Sequence, residues 1–182
     1  MPGNNSGNRR LTLARILALL VVVALSVFIF SIRDKAEQLA VYGYPGIFLL
    51  SFLAYATVFL PAPGVGIVFL MGGIFNPLWV ALAAGSGAAL GEITSYLAGF
   101  SSQAVVERVD MYTRLSGWMA KNGPFTVLCL AAIPNPFFDL AGLAAGALKM
   151  PVPKFLFWCW LGELIKMGAF AYLGAGATKW LN

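Results

Sequence analysis

The chain has 182 residues, of which 60% are hydrophobic and 10% charged, with 12 Lys and Arg against 7 Asp and Glu. A soluble domain is about 25% charged and about 45–50% apolar. This composition therefore excludes a water-covered globule, a secreted disulfide scaffold and a disordered tail, and it predicts an integral membrane protein.

The missing residue types narrow the chemistry further. There is no His, which removes Ser-His catalysis and His-metal sites. Cys129 and Cys159 stand far apart in apolar stretches and read as small buried hydrophobes. No phosphate loop or dinucleotide fingerprint occurs. The usual tools of an enzyme are absent, and no catalytic residue, metal or cofactor is expected. The net charge of +5 speaks of membrane orientation before nucleic acid, which is not expected as a partner.

Residues 1–10 are polar and Gly/Asn-rich and are expected to be disordered. Leu11 to Ile32 predicts a first transmembrane helix. Arg9, Arg10 and Arg15 give it the look of a signal peptide, but it is long and no small-x-small site lies close to its end, so a retained anchor is the better reading. Arg33, Asp34, Lys35 and Glu37, followed by Tyr42 and Tyr44, suit a membrane interface. The remainder, 33–182, reads as one domain.

From Gln38 to Gly91 no residue is charged, a run of 54. Gly46 to Leu60 is apolar and breaks at Pro61-Ala62-Pro63-Gly64; Val65 to Phe75 follows and stops at Asn76-Pro77. Each proline removes a backbone donor and pushes its predecessor out of helix. Neither piece alone spans comfortably, so the pair predicts a re-entrant hairpin turning near mid-membrane. The competing reading is one long kinked pair of crossings. Leu78 to Phe100 predicts a full crossing holding Gly87-x-x-x-Gly91, the spacing that lets helix backbones approach, and Glu92. Residues 101–122 predict an interfacial helix and loop. The pattern then recurs. Gly123 to Ile133 breaks at Pro134-Asn135-Pro136, and Phe137 to Leu148 carries Gly142-x-x-x-Gly146. Lys154 to Thr178 predicts a last crossing holding Glu163 and Lys166.

The two halves, about 45–100 and 123–178, align as a repeat. Pro61-Ala62-Pro63, Leu90-Gly91-Glu92 and Tyr96-Leu97-Ala98-Gly99 match Pro134-Asn135-Pro136, Leu161-Gly162-Glu163 and Tyr172-Leu173-Gly174. The first proline precedes the Glu by 31 residues in one half and 29 in the other. Matched broken segments point to a transporter-type site. A hairpin that returns to its own side plus one crossing makes an odd count, so the repeats are expected to be inverted. With the N-terminus cytoplasmic, eight of the basic residues fall inside and three outside, as the positive-inside rule asks.

Glu92, Asp139, Glu163 and Lys166 fall within predicted membrane segments, where each ionised group costs about 2.5–3.5 kcal/mol at the centre. They should face protein or a wet cavity. Glu163 and Lys166 stand at i and i+3 and are positioned to pair. Glu92 has no cation in its own helix and is either protonated or paired across helices. Asp139 is placed to cap the helix after the second break, and Asn135 to satisfy loop backbone. Each role is as well explained by structure as by function.

The string Ala132-Ile133-Pro134-Asn135-Pro136-Phe137-Phe138-Asp139-Leu140-Ala141-Gly142 closely resembles the signature of the vacuole membrane protein 1 type. Gly87-Ala88-Ala89-Leu90-Gly91-Glu92, followed by Tyr96, resembles the same group. That group lies within the VTT-domain, or DedA, superfamily, whose domain would cover roughly residues 40–178. The resemblance implies two re-entrant hairpins in inverted repeats. It also implies lipid translocation: phospholipid scrambling as in eukaryotic members, or carrier-lipid recycling or proton-linked transport as in bacterial ones. Where bacterial members carry acidic residues near the first break and arginines near the second, this chain has Ala56, Val65, Ala131 and Phe137. The loss of charge weighs against a proton-coupled, phosphate-binding mechanism. The short chain suggests a minimal prokaryotic member in the plasma membrane.

The leading expectation is an energy-independent lipid scramblase or flippase, acting on phospholipid or a polyprenyl-phosphate carrier. Headgroups would pass Glu92, Asn135, Asp139, Glu163 and Lys166 while acyl tails stay in lipid. A proton-coupled transporter of a small solute and a non-transporting scaffold are the alternatives. Membrane lipids are the expected partners, and self-association is left open.

Overall fold

The computed structural model describes residues 16–17, 20, 42–56, 64–101, 110–134 and 138–181. Regular structure among them is helical throughout. The N-terminal segment, the anchor expected over 11–32 and the charged stretch after it lie outside the described residues, save Ile16, Leu17 and Leu20, which are helical. Pro61, Pro63, Asn135 and Pro136 lie outside them as well.

Helix starts follow proline and its neighbours. α1 (Tyr44–Tyr55) opens after Gly43, whose φ of +74° suits only glycine, with a proline in its first turn. α2 spans Gly64–Ile74. α3 (Pro77–Gly91) is capped by Asn76, whose side chain accepts the Leu78 N–H at 3.0 Å. α4 spans Ile93–Ser101. α5 (Asp110–Ala132) contains a non-helical residue, Asn122, at φ −151° and ψ 69°. Pro124 explains it, because the ring bars helix for the preceding turn. The stretch from Gly123 is therefore a separate short helix joined to an amphipathic one. α6 (Phe138–Ala147) ends in a left-handed turn at Lys149, with the Met150 N–H donating to Ala145 O at 2.9 Å. α7 spans Val152–Leu181.

The helix predicted over Leu78–Phe100 runs from α3 into α4 through Glu92, itself in helical conformation at φ −65° and ψ −9°, with its N–H donating to Ala88 O at 3.0 Å. Thr94 Oγ1 donates to Gly91 O at 2.9 Å and Ser95 Oγ to Glu92 O at 2.8 Å.

Length separates the helices into two kinds. Among the described residues, one helix is long and apolar enough to cross a membrane, over Val152–Thr178. α1, α2 and α6, of 12, 11 and 10 residues, reach only about 15–18 Å at 1.5 Å per residue, roughly half of a hydrocarbon core. The outward faces carry Leu49, Leu70, Ile74, Phe157, Ile165 and Leu173, all exposed, as lipid contact requires.

Each short helix lies along another helix. α1 packs on α3 and α5 on α7; α2 packs on α7 and α6 on α4; α3 and α7 pack on each other. The contacts are made backbone to backbone at glycine. A Cβ at Gly87 would strike Phe48 O, and one at Gly91 would come within 2.7 Å of Phe52 O. The order of these contacts makes α1 and α3 parallel. Gly142 meets Ser95 and Gly146 meets Phe100 N, so contacts on α4 and α6 advance together and the two run parallel. α2 and α7 are parallel too, with Gly174 against Phe69 O and Gly73 against Thr178. α3 and α7 run antiparallel: Gly85 meets Leu164, and Trp160 donates to Ser86 Oγ at 3.0 Å.

These contacts predict steep costs. Gly146→Leu should lower stability by at least about 2 kcal/mol, since the new side chain meets backbone that cannot yield. Gly117→Ala, where nothing lies within 4 Å of the added Cβ, should be neutral or gain about 0.5–1 kcal/mol from helix propensity. Thermal unfolding in detergent checks both.

Candidate functional site

The close packing brings a small ionisable cluster to the ends of the short helices. Gly91 sits against Phe52 O and Ala56 N, at the C-terminal end of α1. Glu92 therefore lies beside the first helix break. Gly162 sits against Leu128 O and Ala132 N, at the C-terminal end of α5, so Glu163 lies beside the second. The two carboxylates occupy matching places.

All the charged members are buried: Glu92 is 1% exposed, Glu163 0% and Lys166 5%. Each carboxylate finds its partner three residues on, where a helix turns the side chains to one face. Ser95 Oγ lies 2.6 Å from Glu92 Oε2. Lys166 Nζ lies 2.6 Å from Glu163 Oε1. Lys166 also stands 5.0 Å from the centroid of the Tyr55 ring, a cation–π contact. Tyr55 is the last residue of α1, and a cation is favoured at a helix C-terminus. Tyr55 links the two carboxylate sites, since its backbone also lies against Gly91, next to Glu92.

The remaining candidate residues are placed as follows. Gly87 and Gly91 seat α1 on α3; Gly142 and Gly146 seat α6 on α4. Gly142 also faces Ser95 and Glu92, its absent Cβ leaving room for both side chains. Asp139 falls in the first turn of α6, and its side chain lies outside the described ones. Pro134 is exposed at the end of the second apolar segment. Tyr96, part of the repeated motif, donates its hydroxyl to Met150 O at 2.6 Å and ties α4 to the turn before α7.

Ser95 and Tyr55 are members that sequence reasoning passed over. Ser95 was detectable, since Glu92-to-Ser95 has the same spacing as Glu163-to-Lys166. Tyr55 carries no local signal; it meets Lys166 only because α1 packs where it does. The cluster predicts an asymmetric cost. Lys166→Met should destabilise by about 3–5 kcal/mol by leaving a buried carboxylate without its cation, while Glu163→Gln/Lys166→Met together should recover most of that loss. A double-mutant cycle of unfolding measurements reads it.

The comparison with known proteins agrees with this architecture. A model of the VTT domain matches residues 60–176. The chain is similar to "Vacuole membrane protein KMS1" of Arabidopsis thaliana, 32% identical over a region covering 44% of this chain and 25% of that protein. It is also similar to "Vacuole membrane protein KMS2" of the same plant, 28% identical over 44% of this chain and 24% of that one. The chain thus spans about a quarter of the length of the curated relatives it matches. No solved structure matches it. An apolar chain, helical in its described residues, that carries the Pro134-Asn135-Pro136 motif and is matched over most of its length by that domain is an integral membrane protein, and it belongs to the VTT-domain family.

Proposed function

We propose that the protein moves lipids between the two leaflets without an energy source, along a path that opens where two re-entrant hairpins meet. α1 with α2, and the end of α5 with α6, form the hairpins. The two halves form an inverted repeat. Helix direction supports this reading. α1 runs parallel to α3, α6 to α4 and α2 to α7, while α3 and α7 oppose each other. A hairpin that enters, turns and leaves on its own side, followed by a crossing, has this order of directions in each half.

The observation that carries the function is the place of the ionisable cluster. Charged groups are costly at the bilayer centre and mark paths when they occur there. Here Glu92 follows a glycine seated at the C-terminal end of α1, and Glu163 one seated at the C-terminal end of α5. Opening between the hairpins would expose Glu92, Glu163 and Lys166 to a headgroup, with Asn135 and Asp139 at the second break. The side chains would then stand in for headgroup hydration while the tails remain in lipid. No bond is made or broken. The cytoplasmic placement of the N-terminus rests on the charge bias of the loops.

Reconstitution tests the reading. Vesicles holding the protein and a fluorescent phospholipid should lose signal from both leaflets when an impermeant quencher is added, with or without a pH gradient. Loss from the outer leaflet alone, as in empty vesicles, would overturn it. Movement that needs the gradient would favour a proton-coupled transporter instead.

A further inference from the structure

We infer that Lys121, Lys149 and Lys154, with Trp118 beside them, form a collar that binds the headgroup of an anionic phospholipid at one edge of the membrane. The inference rests on the chain being an integral membrane protein and does not depend on what it moves.

Three separate segments meet at this edge. α5 bends at Asn122, α6 ends in the turn through Lys149, and α7 starts at Val152. A Cβ at Gly123, just past the bend, would lie 3.8 Å from Met150 Sδ. Tyr96 holds the same turn by donating its hydroxyl to Met150 O at 2.6 Å. Leu115, Met119 and Phe155 are buried in one core, and Met150 packs against it. Lys121 stands two residues before Gly123, Lys149 one before Met150 and Lys154 four after it. All three lysines are exposed. Val152 begins the span long and apolar enough to cross a membrane, so the collar lies where hydrocarbon gives way to headgroups.

The neighbours of the lysines suit that level. Trp118 is 62% exposed and stands three residues before Lys121, on the same helical face. Leu148 and Val152 are exposed on either side of Lys149. Tryptophan is favoured at the membrane interface, and lysine there is drawn to anionic lipid. Among the described side chains the acids are Glu92 and Glu163, both buried, so neither faces the collar. Its charge complement is an anion.

Helix stability does not call for two of these lysines. Lys149 has a φ of +54°, the one positive value outside glycine among the described residues. Glycine or asparagine is the usual choice for such a turn. Lys154 falls in the first turn of α7, where the helix dipole repels a cation. Both stand against local preference, and a bound lipid anion would offset that.

Native mass spectrometry of the full chain in detergent, titrated with phosphatidylglycerol or with phosphatidylcholine, tests the collar. The wild type should bind the anionic lipid several-fold more tightly, and the difference should shrink as salt is raised. Lys121→Gln and Lys154→Gln should each lower the preference by about two- to fivefold. Lys121→Gln/Lys149→Gly/Lys154→Gln together should bring it close to one. Lys149→Gly alone separates binding from folding. It should keep or raise the melting temperature, because glycine suits the left-handed turn, and still lower the preference. A wild type that does not discriminate between the two lipids, or a triple variant that still does, would overturn the collar. So would glycerol phosphate binding as tightly as the lipid, since a free phosphate would then be the occupant.

Discussion

In hydrocarbon, one apolar helix gains little by touching another, because lipid tails are as apolar as leucine. What remains is close packing, and that depends on how near two backbones can come. Here nearly every helix pair is joined at a glycine. Gly87 and Gly91 hold α1, Gly162 holds α5, Gly72 and Gly174 hold α2, and Gly99 and Gly146 hold α6. The broken helix ends stay where they are because backbone lies against backbone a few residues away.

That constraint sets the electrostatics. The glycine preceding each Glu is the one that meets a helix end, so the carboxylate that follows is carried into the interior at the same depth. Glu92 and Glu163 are thus placed by packing. Three residues on from each stands a hydrogen-bond partner, a serine beside Glu92 and a lysine beside Glu163. The pair of sites is symmetric in place and asymmetric in chemistry.

Much of this was legible in the chain. The Pro-x-Pro breaks, the repeated Leu-Gly-Glu and the i, i+3 relation of Glu163 to Lys166 are local patterns, and local patterns survive translation into helices. The bounds of α1 and α2 fall close to the apolar runs that announced them. The split of α5 at Asn122 was signalled by Gly123-Pro124. The cation–π contact of Lys166 with Tyr55 was not readable at all, since it joins residues more than a hundred positions apart through a tertiary approach. Pro61, Pro63, Asn135 and Pro136, on which the hairpin reading leaned most, lie outside the described residues.

The crossed pattern of contacts bears on how the protein is made. α2 rests on α7, a helix from the far end of the chain: Gly72 meets Ala171. At about 5–20 residues per second of synthesis, α2 waits on the order of 5–20 seconds for the surface that covers it. During that interval the glycine face of α2 has no α7 to rest on. A factor that covers that face in the bilayer would therefore act on α2 and not on α6, whose partner α4 is already in place when α6 emerges.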